Sequence, residues 1–128
     1  MSVVLFFVFE SGLLSNTTAS NNTGSGFYSL KSNTTGALNT ASGAYSLQSN
    51  TTAGGNTAFG TKTLKSNTTG AGNTASGYGA LCANTTGCRS TAVGFQALLK
   101  ATTGGFNTAV GTYTANQTTT GKCNVALG

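Results

Sequence analysis

Residues 33–49 read NTTGALNTASGAYSLQS and residues 50–66 read NTTAGGNTAFGTKTLKS. Laid one over the other, they agree at positions one to three, seven to nine, eleven, fifteen and seventeen. The agreement extends in both directions. Asn-Thr-Thr falls at 16, 33, 50, 67 and 84, always 17 residues apart, and the register continues as Ala101-Thr102-Thr103 and Thr118-Thr119-Thr120. The unit is N-T-T-G-x-x-N-T-A-x-G-x-x-x-L-x-S, and six full copies plus eleven residues of a seventh fill 16–128. A fixed period of this length is the signature of a repeat architecture rather than of an ordinary domain.

Each column of the repeat has a constant chemistry. Position nine is Ala at Ala41, Ala58, Ala75, Ala92, Ala109 and Ala126, with Gly24 in the first copy. Position fifteen is Leu at Leu30, Leu47, Leu64, Leu81 and Leu98, then Ala115. Position eleven is Gly at Gly26, Gly43, Gly60, Gly77, Gly94, Gly111 and Gly128. Position one is Asn at Asn16, Asn33, Asn50, Asn67 and Asn84, and position seven is Asn in six copies.

A helical repeat needs a well-formed helix, and Gly, Asn and Thr are poor helix formers. Strand segments broken by Gly and Asn turns suit the unit better. The predicted fold is therefore all-β: a parallel β-solenoid of about seven 17-residue coils, stacked at ~4.8 Å so that identical positions form ladders. The Ala and Leu ladders are the expected core, narrow enough for two sheets to approach closely. The Gly ladder marks a turn needing positive φ or close packing. The Asn ladders are expected to hydrogen-bond along the stack and to tolerate left-handed turn geometry.

Composition bounds the function. The 128 residues carry six Lys and Arg against one acid, Glu10, with no His, no Asp and no Pro. A general base, a metal-ligand cluster and a positioned acid are all wanting, so the chain is read as no enzyme, without cofactor or metal. The basic residues are spread singly from Lys31 to Lys122, which makes no phosphate-binding stripe and argues against a nucleic-acid partner. Disorder, the first reading for so polar a chain, is opposed by the strict period.

Residues 1–15 form a separate segment. Val3, Val4, Leu5, Phe6, Phe7, Val8 and Phe9 make an apolar run much shorter than the ~20 residues of a membrane-spanning helix. It is predicted to be a strand that caps the stack or contacts another subunit, with Leu13 and Ser15 already in the repeat's register. Cys82 and Cys88 flank one Asn-Thr-Thr turn, and a disulfide between them in an oxidising compartment stands beside the alternative of free thiols. Asn16, Asn33, Asn50, Asn67 and Asn84 also match the N-x-Ser/Thr pattern, so they are either ladder residues or glycosylation acceptors. Alternation along the strand points one of the two consecutive Thr outward, and the outward row is expected to be Thr17, Thr34, Thr51, Thr68, Thr85, Thr102 and Thr119.

The runs STAVG at 90–94, NTAVG at 107–111 and NVALG at 124–128 resemble the head repeats of YadA-like trimeric autotransporter adhesins. The N-T-T-G and N-T-A-V-G repeats are also similar to those of phage and large-virus fibre proteins. The resemblance implies a left-handed parallel β-roll used for surface attachment or as a fibre stalk. The expected function is that of an extracellular structural fibre at a cell or virion surface, with adhesion as a further role. Its subunits stack end to end on one another, since the repeat leaves off in mid-unit with its ladder residues in register. The alternative is a monomeric or trimeric binder of ice, glycans or a cell surface through a Thr or Asn face.

Overall fold

The structure, a computed structural model, describes Phe6–Phe7 and residues 13–128. It is a parallel β-solenoid. Phe6–Phe7 (β1) is followed by one three-residue strand per repeat: Thr23–Ser25 (β2), Thr40–Ser42 (β3), Thr57–Phe59 (β4), Thr74–Ser76 (β5), Thr91–Val93 (β6), Thr108–Val110 (β7) and Val125–Leu127 (β8). The eight strands form one sheet in sequence order. From β2 onward each residue pairs with its equivalent 17 positions on, so Gly24, Ala41, Ala58, Ala75, Ala92, Ala109 and Ala126 stand in one column. β1 is one residue out of that register, with Phe6 opposite Gly24 and Phe7 opposite Ser25. Val3, Val4, Leu5, Val8 and Phe9 of the expected contact strand lie outside the described residues.

Only positions eight to ten of each unit are strand, so the expected pair of facing sheets is replaced by one sheet closed by stacked turns. The reason lies in the backbone. Positions six, eleven, thirteen and fifteen all have positive φ, which breaks any longer extended run. Position fifteen is the least expected: Leu30, Leu47, Leu64, Leu81 and Leu98 sit at φ between 47° and 51°. A left-handed L-residue costs roughly 1–2 kcal/mol, while burying a Leu contributes about 1.5–3 kcal/mol, so the core position can carry the strain. Thr, though abundant, never occupies positions six, thirteen or fifteen. A β-branched side chain is the type least able to enter that region.

The turns are bonded within and between coils. In one coil Ser46 N–H donates to Gly43 O at 3.3 Å and Asn50 N–H to Leu47 O at 3.1 Å. Outside the strand, Leu47 N–H reaches Thr63 O of the next coil at 3.0 Å and Tyr45 N–H reaches Phe27 O of the previous one at 2.8 Å. Every wall of the coil is thus joined to its neighbours by main-chain bonds.

The core is a narrow column. Leu30, Leu47, Leu64, Leu81 and Leu98 pack against Ala41, Ala58, Ala75, Ala92 and Ala109, all with no solvent exposure. Leu13 extends the column at the N-terminal side and the half-buried Ala115 at the other. Position fourteen also faces inward, with Ser29, Ser46, Thr63, Ala80 and Ala97 buried. The Gly ladder is held by both constraints at once: φ runs from 119° to 133° from Gly26 to Gly111, and a Cβ on Gly43 would come within 2.6 Å of the Gly60 carbonyl carbon.

Candidate functional site

The Asn residues point inward and form two separate ladders. At position one, from Asn33 to Asn84, each side-chain amide donates to the Asn of the preceding coil and to a carbonyl of its own turn. Asn50 Nδ2 lies 2.8 Å from Asn33 Oδ1 and 2.9 Å from Ala53 O, and Asn67 Nδ2 is 2.9 Å from both Asn50 Oδ1 and Gly70 O. Asn33 donates to Asn16 at 3.0 Å and Asn84 to Asn67 at 2.7 Å. Asn33, Asn50, Asn67 and Asn84 have no exposure and Asn16 is half-buried. In the folded coil the four buried amides are therefore committed to hydrogen bonds, and the amide nitrogen to which a glycan would attach is out of reach of solvent. Burial without these bonds would be costly, because each amide would lose its water partners.

The second ladder joins main chain to side chain. Asn56 N–H donates to Asn39 Oδ1 at 3.0 Å, and Asn56 Nδ2 donates forward to Gly70 O at 2.9 Å. Gly70 O thus receives one amide from each ladder. None of the Asn at positions one and seven has positive φ; the left-handed geometry expected of them falls to the neighbouring position six, where Asn21 has φ 59° and Leu38 62°.

The Thr rows divide differently from the expectation. Position two is largely half-buried and its hydroxyls are used between coils: Thr34 Oγ1 donates to Thr51 O at 3.1 Å and Thr68 Oγ1 to Thr85 O at 3.0 Å. The outward row is position three. Thr18, Thr35, Thr52, Thr69, Thr86, Thr103 and Thr120 are all exposed, and among the described residues their hydroxyls take part in no hydrogen bond. Neither Thr points inward, because the segment is a bend rather than a strand, and strand alternation does not govern it.

A second surface feature had no place in the repeat consensus. Positions twelve and thirteen carry aromatic residues that stack from coil to coil: Phe27, Tyr28 and Tyr45 in one group, Tyr78, Phe95 and Tyr113 in another. Tyr78 and Phe95 lie 5.3 Å apart at an interplanar angle of 13°. Lysines cover the rings, with Lys31 Nζ 3.9 Å from the centre of Tyr28 and Lys65 5.7 Å from that of Tyr45. The scattered basic residues are thus partly tied to this stripe, an arrangement worth ~0.5–1 kcal/mol per exposed pair. The shared register of these aromatics was the available signal.

Cys82, Cys88 and Cys123 are free thiols, so the bridge between Cys82 and Cys88 is not formed. The two occupy different stations of the coil, with the buried Asn84 turn between them. Burial pushes the Cys82 thiol up from its ordinary value, and Lys65 and Lys62 pull it part of the way back. Among the described residues there is no group of three metal-ligating side chains and no helix long and apolar enough to cross a membrane. No protein-family model, curated protein or solved structure matches this sequence.

Proposed function

We propose that this chain is a structural rod, part of an extracellular fibre whose subunits join by stacking coil on coil. The observation that supports the reading is the uniformity of the joint. Six successive pairings from β2 to β8 use the same register, and the recurring residues of positions one, seven, nine, eleven and fifteen hold one coil to the next or fill the core, while the Thr of position three, present in every copy, does neither. The edge of β8 is of the kind that every coil presents to the next, and β1, which lies on the edge of β2, is the strand that a second copy's β8 would meet in a head-to-tail contact that propagates. The repeat's resemblance to adhesin heads and fibre proteins points the same way.

Electron microscopy of the purified protein at neutral pH tests this. Filaments with a ~4.8 Å axial repeat are expected. A population of separate short rods at all concentrations refutes end-to-end assembly.

A second reading rests on the position-three row. Seven exposed Thr in register, one per coil, with hydroxyls and methyls unused by the fold, make a regular face suited to ice or to a glycan surface. Thermal hysteresis and glycan-array binding, each lost on replacing Thr52, Thr69 and Thr86 by Lys, would favour it over the fibre.

A further inference from the structure

Both Asn ladders are interrupted at the same place. Position one changes from Asn to Ala at Ala101, and position seven changes from Asn to Ser at Ser90. In the coils below, these two side chains converge on one carbonyl, that of position four. Gly87 O accepts from Asn84 Nδ2 at 2.9 Å and from Asn73 Nδ2 at 2.8 Å. One coil on, the equivalent carbonyl is Gly104 O, whose two donors would have come from positions 101 and 90. Ala101 has no donor, and Ser90 has a shorter side chain whose oxygen accepts from Asn107 N–H at 3.1 Å.

The same change leaves Asn84 Oδ1 buried without a partner. Its orientation is fixed, because Asn84 Nδ2 faces two acceptors, Asn67 Oδ1 at 2.7 Å and Gly87 O at 2.9 Å, and a flipped amide would set oxygen against oxygen. A Cβ built on Gly87 falls 2.5 Å from Asn84 Oδ1 and closer still to Gly104 O, so the two oxygens are at most about 5 Å apart. In the coil below, a Cβ on Gly70 meets the equivalent pair, Asn67 Oδ1 and Gly87 O, together with Asn84 Nδ2 at 2.9 Å. The amide nitrogen bridges the two acceptors there.

We infer that a single buried water takes the place of that amide nitrogen between Asn84 Oδ1 and Gly104 O. A donor at ordinary hydrogen-bond length spans two acceptors up to roughly 5.6 Å apart. Water is the ligand that fits, since the substitution of Ala for Asn removes a carboxamide's three heavy atoms and the exposed need is for two protons. The Ser90 hydroxyl, which accepts from Asn107 N–H, donates its own proton to no other described residue. A cation is disfavoured because the surrounding acceptors are neutral and the described residues contain no Asp or Glu to offset its desolvation. Buried waters of this kind satisfy two to four polar groups and persist as part of the fold.

The test is a crystal structure of the full chain at better than ~1.5 Å, with water-to-amide NOEs in solution as an independent measurement. An ordered water about 2.7–3.1 Å from both oxygens is expected, with NOEs to amides of the coil containing Ala101. In Ala101→Asn the water is expected to vanish, its position taken by the introduced amide nitrogen. A dry site in the unaltered protein overturns the inference, whether the two oxygens find protein donors or stay unpaired. So does a water that remains in place beside the introduced amide. The measurement on the unaltered chain decides the matter even if the variant fails to fold.

Discussion

Replacing Asn67 by Ala tests whether the buried amide ladder holds the coils together. The side chain makes three hydrogen bonds: two as donor, to Asn50 Oδ1 and Gly70 O at 2.9 Å each, and one as acceptor from Asn84 Nδ2 at 2.7 Å. After the substitution Gly70 O still accepts from Asn56 Nδ2 and Asn84 Nδ2 still donates to Gly87 O, each at 2.9 Å. Asn50 Oδ1 loses its only protein donor, and a water of the kind inferred beside Ala101 would bring the cost toward the lower end of the range that follows. An orphaned buried acceptor costs about 1–3 kcal/mol and each further lost bond about 0.5–1.5 kcal/mol, so the expected destabilisation is about 2–6 kcal/mol. Urea denaturation followed by circular dichroism measures it, with Thr69→Ala on the exposed row as a control expected to stay within about 0.5 kcal/mol. Repeat arrays can unfold in parts, so the slope of the transition must match between variants for the comparison to hold. A loss below about 1 kcal/mol at Asn67 would mean that the ladder is a passenger on the main-chain bonds, and the reasoning would fail.

Gly77→Ala places a Cβ 2.5 Å from Gly94 O at a backbone φ of 120°, and is expected to prevent folding or lower the melting temperature sharply by calorimetry. Leu64→Ala should cost about 2–5 kcal/mol in the same urea assay. Leu64→Ile keeps the volume, a change usually costing under about 1.5 kcal/mol, yet here it is expected to exceed that, because a β-branched residue must adopt φ 47°. Cys82 gives a pH dependence. Its thiol titrates above the ordinary value of 9.0 in the folded chain, so the folded state holds the proton longer than the unfolded one. The contribution is intact below pH 9 and falls away as pH rises through the folded value, and Cys82→Ala should flatten the alkaline limb of a stability profile.

The period of 17 and the identity of the core columns were legible because each coil repeats the same demand on the same residue type. Ala at position nine and Leu at fifteen could be read as core since nothing else in the unit is both constant and apolar. Position fourteen was missed, as Ser29, Thr63 and Ala80 differ in polarity and share only small size, which is what the inside of the narrow coil selects. The left-handed Leu column was hidden for another reason. Propensity assigns positive φ to Gly and Asn, whereas here the tertiary stack imposes it on Leu47 and Leu64 and the sequence records it only as the exclusion of Thr. The outward Thr row differs from the expectation because positions two and three lie in a bend, where strand alternation does not hold.

The side-chain amides of position one all point the same way, each nitrogen toward the coil before it and each oxygen toward the coil after. Their dipoles therefore add along the axis, and the rod has a direction. Within the run from Asn33 to Asn84 the ladder reads differently in its two directions, until Ala101 breaks it. A head-to-tail polymer of the kind proposed would have chemically distinct tips that gain and lose subunits at different rates. A variant competent at only one face would block a single tip while leaving the other free to grow, at a dose set by the number of filaments and not by the number of subunits.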